Sequence, residues 1–167
     1  MKKFNTHIDL LPHLPGMHYL EIPQEVVQQL GGKLQLRLYC TVNENLTFQC
    51  GLMALGQGRA YISISKKRMQ ALGVKCGDRV AVKLERDESK YGTTVPEELE
   101  ELLKQDDEGA RRFELLTPGM QRYIINHVGA VKSVQLRVDR SISLIENLKK
   151  LPEGKEEFRA ILGLPPK

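Results

Sequence analysis

The sequence predicts an α+β protein, with a strand-rich N-terminal part and a helical C-terminal part. Three observations predict it. Leu34, Leu36, Leu38 and Cys40 alternate with Gln35, Arg37 and Tyr39, and Val80, Val82 and Leu84 alternate with Arg79, Ala81 and Lys83. This is the period of strands with one buried face. A strand–short helix–glycine unit occurs twice at an offset of 42 residues, with Leu20 falling on Ile62, Ile22 on Ile64, Gln28 on Gln70, Leu30 on Leu72 and Gly31 on Gly73. Beyond residue 94 the apolar residues recur at helical spacing instead, as in Leu99, Leu102 and Leu103. One such strand–helix unit cannot bury its apolar face alone, whereas two related by a pseudo-twofold can.

In chain order, Phe4, Thr6 and Ile8 alternate as a first strand, and Pro12, Pro15 and Gly16 make a loop. Met17 to Ile22 reads as a second strand. Pro23 suits a helix start, where its missing N–H has no intrahelical partner, and Gly31-Gly32 permits a left-handed end. Residues 33 to about 54 read as a hairpin turning at Asn43-Glu44-Asn45, because Asn tolerates positive φ. Gly56-Gln57-Gly58 is expected to break it. Tyr61 to Ile64 is the next strand, followed by a short helix opened by Lys66-Lys67-Arg68 and ended at Gly73, a turn at Gly77-Asp78 and a last strand from Arg79 to Leu84. The glycines read as turn residues, since no Lys-Ser/Thr follows at phosphate-loop spacing.

Asp87 to Thr94 is polar and reads as a linker. Thr94-Val95-Pro96-Glu97 has the spacing of a capping box opening a helix. Asp106-Asp107-Glu108 places negative charge at the start of a second helix, where the dipole favours it. Thr117-Pro118 is a cap and first-turn proline for a third, whose apolar side carries Met120, Tyr123, Ile124, His127 and Val128. His127 reads as a helix-face or packing histidine rather than a catalyst. A fourth helix, Ser133 to Lys150, is expected to bury Val134, Val138, Ile142, Ile145 and Leu148. Phe158, Ile161 and Leu162 fit one short docking helix. The expected division is therefore residues 1–88, a linker 89–94, a helical module 95–151 and a tail 152–167.

Composition limits function without naming it. The chain has 167 residues, 41% hydrophobic and 28% charged, which fits a folded globular protein and argues against disorder. No apolar run approaches the ~20 residues of a membrane helix, and the basic start lacks the apolar segment of a secretory signal, so a cytoplasmic location is expected. Three cysteines without metal-ligand spacing read as reduced thiols. Cys40 and Cys50 are placed to face each other across the hairpin, though a reducing cytosol disfavours their pairing. No metal or cofactor site is expected, because His7, His13 and His18 lack a Cys or carboxylate at zinc-like spacing. Residues 1–90 carry 13 Lys/Arg against 8 Asp/Glu, and the remainder 12 against 13, so the basic excess is N-terminal.

Two resemblances sharpen this. Ile64 to Leu84 resembles the strand–helix–Gly-Asp–strand unit of AbrB/MazE-like barrels. More widely, Ile22-Pro23, Cys40-Thr41-Val42-Asn43, Leu55-Gly56-Gln57-Gly58 and Leu72 to Asp78 resemble a bacterial domain of unknown function with the double-split β-barrel form of that fold. The resemblance implies one chain building both halves of a pseudo-twofold barrel. Farther on, Val95-Pro96-Glu97-Glu98-Leu99, Phe113, Leu116-Thr117-Pro118, Arg122-Tyr123 and Arg137-x-x-Arg140 resemble the helical module of YdeI/OmpD-associated proteins, often labelled bacteriocin-protection proteins. That pattern departs at two places: the chain has no tryptophan, and Leu136 stands where relatives carry Thr.

No nucleophile–base signature, HExxH or P-loop is present, and no catalytic residue is assigned. The expected function is that of a non-enzymatic binding or interaction protein of the YdeI/OmpD-associated type. The resemblance links this to envelope stress or antimicrobial-peptide tolerance. One alternative is an AbrB-like regulator binding nucleic acid through the basic barrel; another is an enzyme of unknown reaction. The partner is expected to be a protein or a nucleic acid. Candidate anion or nucleic-acid contacts are Lys66, Lys67 and Arg68, which open the second short helix, and Arg137 and Arg140, which sit three apart as neighbours on a helix surface.

Overall fold

The structure, a computed structural model, describes residues 1–165. Pro166 and Lys167, the last residues of the expected tail, lie outside the described residues. The chain divides into two compact units, Met1–Glu88 and the chain from Ser89 on.

The first unit is a curled antiparallel sheet. Its strands are β1 (Lys2–Leu10), β2 (His18–Ile22), β3 (Arg37–Val42), β4 (Leu46–Gly51), β5 (Met53–Gly56), β6 (Arg59–Ile64) and β7 (Arg79–Arg86), in the order β4-β3-β7-β1-β2-β6-β5. Two short helices interrupt them, α1 (Gln24–Gln29) and α2 (Lys66–Leu72). The period-2 residues point inward: Ile8, Leu20, Ile22, Leu38, Cys40, Val42, Ile62, Val80, Val82 and Leu84 are at most 2% exposed. Burying each such side chain is worth about 1.5–3 kcal/mol against the entropy of ordering it. β2 and β6 pair antiparallel with Leu20 opposite Ile62. Gly73 ends α2 in the left-handed region at φ 66°, where a Cβ is disfavoured.

The hairpin differs from expectation in three details. Its ladder runs from Arg37↔Gly51 to Val42↔Leu46, leaving Leu34 and Leu36 outside the strand but packed on the core. The left-handed turn residues are Asn43 (φ 50°) and Glu44 (φ 56°), closed by Asn45 N–H donating to the Val42 carbonyl at 3.1 Å. Gly56-Gln57-Gly58 is itself a turn, joining β5 to β6 across a bulge between Ala54 and Gly56. A turn with both central residues left-handed favours Asn-Gly, and Glu44 is the strained member. Glu44→Gly is therefore expected to raise stability by about 0.5–1 kcal/mol in a urea melt; an unchanged or lowered midpoint would count against strain at that position.

Cys40 and Cys50 do not sit opposite each other. Cys40 pairs with Phe48 and Cys50 with Leu38, and both are free thiols. They are diagonal neighbours on the inward face, and a hydrogen bond with Cys50, followed by burial, pushes the Cys40 thiol far up.

The second unit holds α3 (Glu97–Gln105), α4 (Asp107–Leu115), α5 (Pro118–Gly129), α6 (Val134–Lys150) and α7 (Phe158–Ile161). Leu99, Phe113, Ile124, Ile125, Val128, Ile145, Leu148 and Ile161, each at most 1% exposed, form its core. The Asp106, Thr117 and Ser133 side chains cap α4, α5 and α6 by accepting from Gly109, Met120 and Leu136 N–H. Asp106 also receives Lys149 Nζ at 2.8 Å. The Lys149 ammonium first, and the Gly109 N–H second, hold the Asp106 carboxyl below the usual range.

Two helical expectations fail. The capping box at Thr94 does not form; α3 starts at Glu97 with Pro96 at its N-cap and no side-chain cap. Pro96 disfavours helical geometry at Val95, so the helix cannot begin before the proline. In α6 the inward stripe is Ser141, Leu144, Ile145 and Leu148, while Val134 (59%) and Ile142 (46%) are exposed. The reason is polar: Arg137 and Ser141 occupy the inner phase, tied by Ser141 Oγ donating to the Arg137 carbonyl at 2.7 Å.

Candidate functional site

The basic run of the first unit is divided by the fold. Lys66 and Lys67 are exposed at the start of α2. Arg68 instead lays its guanidinium over the buried Phe48 ring, 4.0 Å from the centroid. A cation stacked this way acts largely through packing. Lys66 and Arg68 line a shallow cleft of about 480 Å³ with Met17 and His18. A larger cleft of about 530 Å³ opens on the outward face of β1, β7 and β3, beside Lys3, Asn5, Thr41 and Lys83. Both of its ammonium groups face carboxylates, Lys83 with Glu85 at 2.8 Å and Lys3 with Glu44 at 4.0 Å.

The two arginines of α6 are sent apart rather than brought together. Arg137 turns toward α3, where Nε and Nη2 reach Glu98 Oε1 at 2.9 and 2.8 Å, and Nη1 donates to the Val131 and Lys132 carbonyls. That ion pair holds the Glu98 carboxyl below its usual range and raises the Arg137 guanidinium. Arg137 is thus a tie between α3 and α6.

Arg140 turns the other way. Its Nη1 donates to the His127 carbonyl at 2.7 Å, near the end of α5. Among the described residues it has no carboxylate partner. Half-buried, it lines a cleft of about 250 Å³ between α5, α6 and α7. Leu136, Arg140, Ser143 and Asn147 follow one another along α6 at spacings of four, three and four, which places them on one stripe. Leu144 closes the floor, and Ile161 and Leu162 form the opposite wall. Asn147 Nδ2 donates to the Ile161 carbonyl at 3.0 Å and so holds α7 in place. Asp139, on the rim, receives Gln135 Nε2 at 2.9 Å. His127 stacks on Tyr123, which in turn meets Phe158 with ring centroids 4.2 Å apart. Burial, then the Arg140 charge, lowers the His127 pKa, so its imidazole is neutral near pH 7. What the cleft presents is one fixed guanidinium charge beside an aliphatic surface, with the Asp139 carboxylate on its rim.

Residues 93–150 match the family described as Bacteriocin-protection, YdeI or OmpD-Associated. A YdeI/OmpD-associated domain is present. Residues 4–84 match the Domain of unknown function (DUF1905). Comparison with curated proteins finds no match. The matched YdeI/OmpD-associated segment carries Leu136, Arg140, Ser143 and Asn147, but Ile161 and Leu162 lie beyond it. One wall of the cleft is therefore built from residues outside the family pattern.

Of the residues that make this cleft, Arg140 was legible as a candidate and His127 as a helix-face or packing histidine. Ser143 and Asn147 carry no motif; their signal is the four-three-four spacing with Leu136 and Arg140. Among the described residues no group of three or more His, Cys, Asp or Glu converges to hold a metal. No helix among them is long and apolar enough to cross a membrane.

Proposed function

We propose that the chain is a non-enzymatic binding protein whose YdeI/OmpD-associated domain recognises an anionic group in the Arg140 cleft. The observation that carries this reading is the half-buried guanidinium of Arg140, which among the described residues has one backbone carbonyl as its partner and no carboxylate. A charge taken partly out of water without a counter-ion is costly, and a bound anion offsets that cost. The non-enzymatic part of the reading rests on His127, whose neighbour is a cation, while the nearby Asp139 is engaged by Gln135. Among the described residues of the cleft, no base–orienter pair is thereby assembled. The family description of residues 93–150 names bacteriocin protection, and binding of this kind is how we propose the chain would serve tolerance to antimicrobial peptides.

For the first unit the reading is a double-split barrel with an internal pseudo-twofold. Its support is register: Leu20 and Ile62, the residues the 42-residue repeat equates, are paired directly across β2 and β6. A local twofold passing between antiparallel strands produces that pairing. Nucleic-acid binding by this unit is the weaker alternative, because Arg68 is committed to Phe48 and leaves only Lys66 and Lys67 of the basic run facing outward.

The test is a titration of ¹⁵N-labelled full-length protein with acetate and with inorganic phosphate at constant ionic strength. Saturable shifts are expected at the amides of His127, Arg140 and Ser143, and Arg140→Gln is expected to remove them. Shifts confined to other surfaces, or identical shifts in the variant, would overturn the assignment.

A further inference from the structure

The Arg140 cleft holds more than a charge. It is small, about 250 Å³, below the ~300–1,000 Å³ of pockets for drug-sized ligands. Four of its nine lining residues are aliphatic: Leu136, Leu144, Ile161 and Leu162. Leu136 is 49% exposed, although it belongs to a helix whose core residues are nearly fully buried. An exposed leucine beside a cation is an apolar surface available to whatever the cation holds. The positive charge is single, since His127 is neutral, and Asp139 on the rim disfavours more than one negative charge nearby. Arg140 uses one Nη1 hydrogen for the His127 carbonyl. Its Nε and Nη2 edge has no partner among the described residues and matches the two oxygens of a carboxylate.

We infer that the cleft takes a monocarboxylate carried on a branched aliphatic body about the size of one amino-acid side chain. In this placement the carboxylate meets the Arg140 edge and the Ser143 hydroxyl, and the aliphatic body lies against Leu136, Leu144 and Leu162. The chemistry is shared by a peptide C-terminus ending in an aliphatic residue and by a short branched fatty acid. This inference rests on the anion reading above and narrows it from any anion to one charge with an apolar body.

Four probes separate the possibilities in amide spectra of the full chain: N-acetyl-leucine, N-acetyl-leucinamide, 4-methylpentanoate and 3-methylbutyl phosphate. N-acetyl-leucine is expected to shift the His127, Ser143 and Leu162 amides saturably, and its amide at least tenfold more weakly. Equal or weaker binding of 4-methylpentanoate assigns the peptide terminus as the source; tighter binding assigns the free acid. Arg140→Gln is expected to weaken N-acetyl-leucine at least tenfold. Leu136→Asp, at an exposed position that leaves packing intact, is expected to weaken it severalfold, by placing a like charge at the rim. The inference falls if the amide binds as well as the acid, or if Leu136→Asp has no effect. If the phosphate ester shifts these amides and both carboxylates fail, the inference falls while the anion reading stands. If no anion shifts them, both fall.

Discussion

Arg112→Met is expected to destabilise the second unit by about 3–5 kcal/mol, the cost of breaking a buried ion pair from one side. Arg112 is 4% exposed on α4. Its guanidinium donates to the Leu151 carbonyl at 2.6 Å, the Lys149 carbonyl at 3.2 Å and Glu156 Oε1 at 3.2 Å. It thus closes the C-terminal end of α6, where backbone carbonyls lack helical partners, and neutralises a carboxylate whose side chain is only 9% exposed. Methionine fills a similar volume and satisfies none of these acceptors. Urea melts followed by the helical signal measure the loss. The double variant Arg112→Met with Glu156→Leu is expected to recover at least half of it, because the uncompensated carboxylate is then gone. A single variant within about 1 kcal/mol of the parent would show that the pair contributes little net stability.

Gly109→Ala is the second large effect, and its sign runs against helix propensity. On an isolated helix alanine is better than glycine by about 1 kcal/mol. At Gly109 an added Cβ would lie 2.5 Å from Ile145 Cγ2 and 2.6 Å from Asp106 Oδ2. Ile145 is fully buried and Asp106 is the N-cap of α4, so neither has an easy direction in which to give way. Overpacking of this kind costs about 1–3 kcal/mol. Gly109→Ala is therefore expected to lower the urea midpoint of the helical signal. Ile145→Ala alone leaves a cavity and costs about 2–5 kcal/mol. Together the two changes are expected to cost clearly less than their sum, since each makes room for the other. Additive losses would place the strain elsewhere.

What the sequence made legible, and what it hid, follows from where each residue's partners lie. The inward strands could be read because alternation is a local property: Val80, Val82 and Leu84 face the core whatever strand pairs with them. The short edge strand β5 could not, since Met53-Ala54-Leu55-Gly56 does not alternate and largely faces solvent. The inner face of α6 was misread because Val134 and Ile142 look like core residues. The true inner phase begins with Arg137 and Ser141, polar residues held by Glu98 and by the helix's own backbone. The same distance problem governs the site. Arg137 and Arg140 lie three apart in sequence, yet Glu98, 39 residues before Arg137, claims one. His127, Ile161 of α7 and Leu162 just after it surround the other. A charge can be seen in the sequence; whether it is already partnered cannot.

The strand order has a consequence for the way the chain folds. β1 and β7 form the centre of the sheet, with Lys2 opposite Leu84 and His7 opposite Arg79. The first strand of this unit thus waits for its last, and the loop closed between them is nearly the whole unit long. Long-range pairing of this kind slows folding relative to contacts close in sequence. During translation the β2–β6 ladder can assemble once β6 has emerged, but the central pair cannot. Until residue 86 is free, β1 and β3 lack the strand that lies between them. The interval before β7 arrives is when the inward residues of this sheet are most open to aggregation.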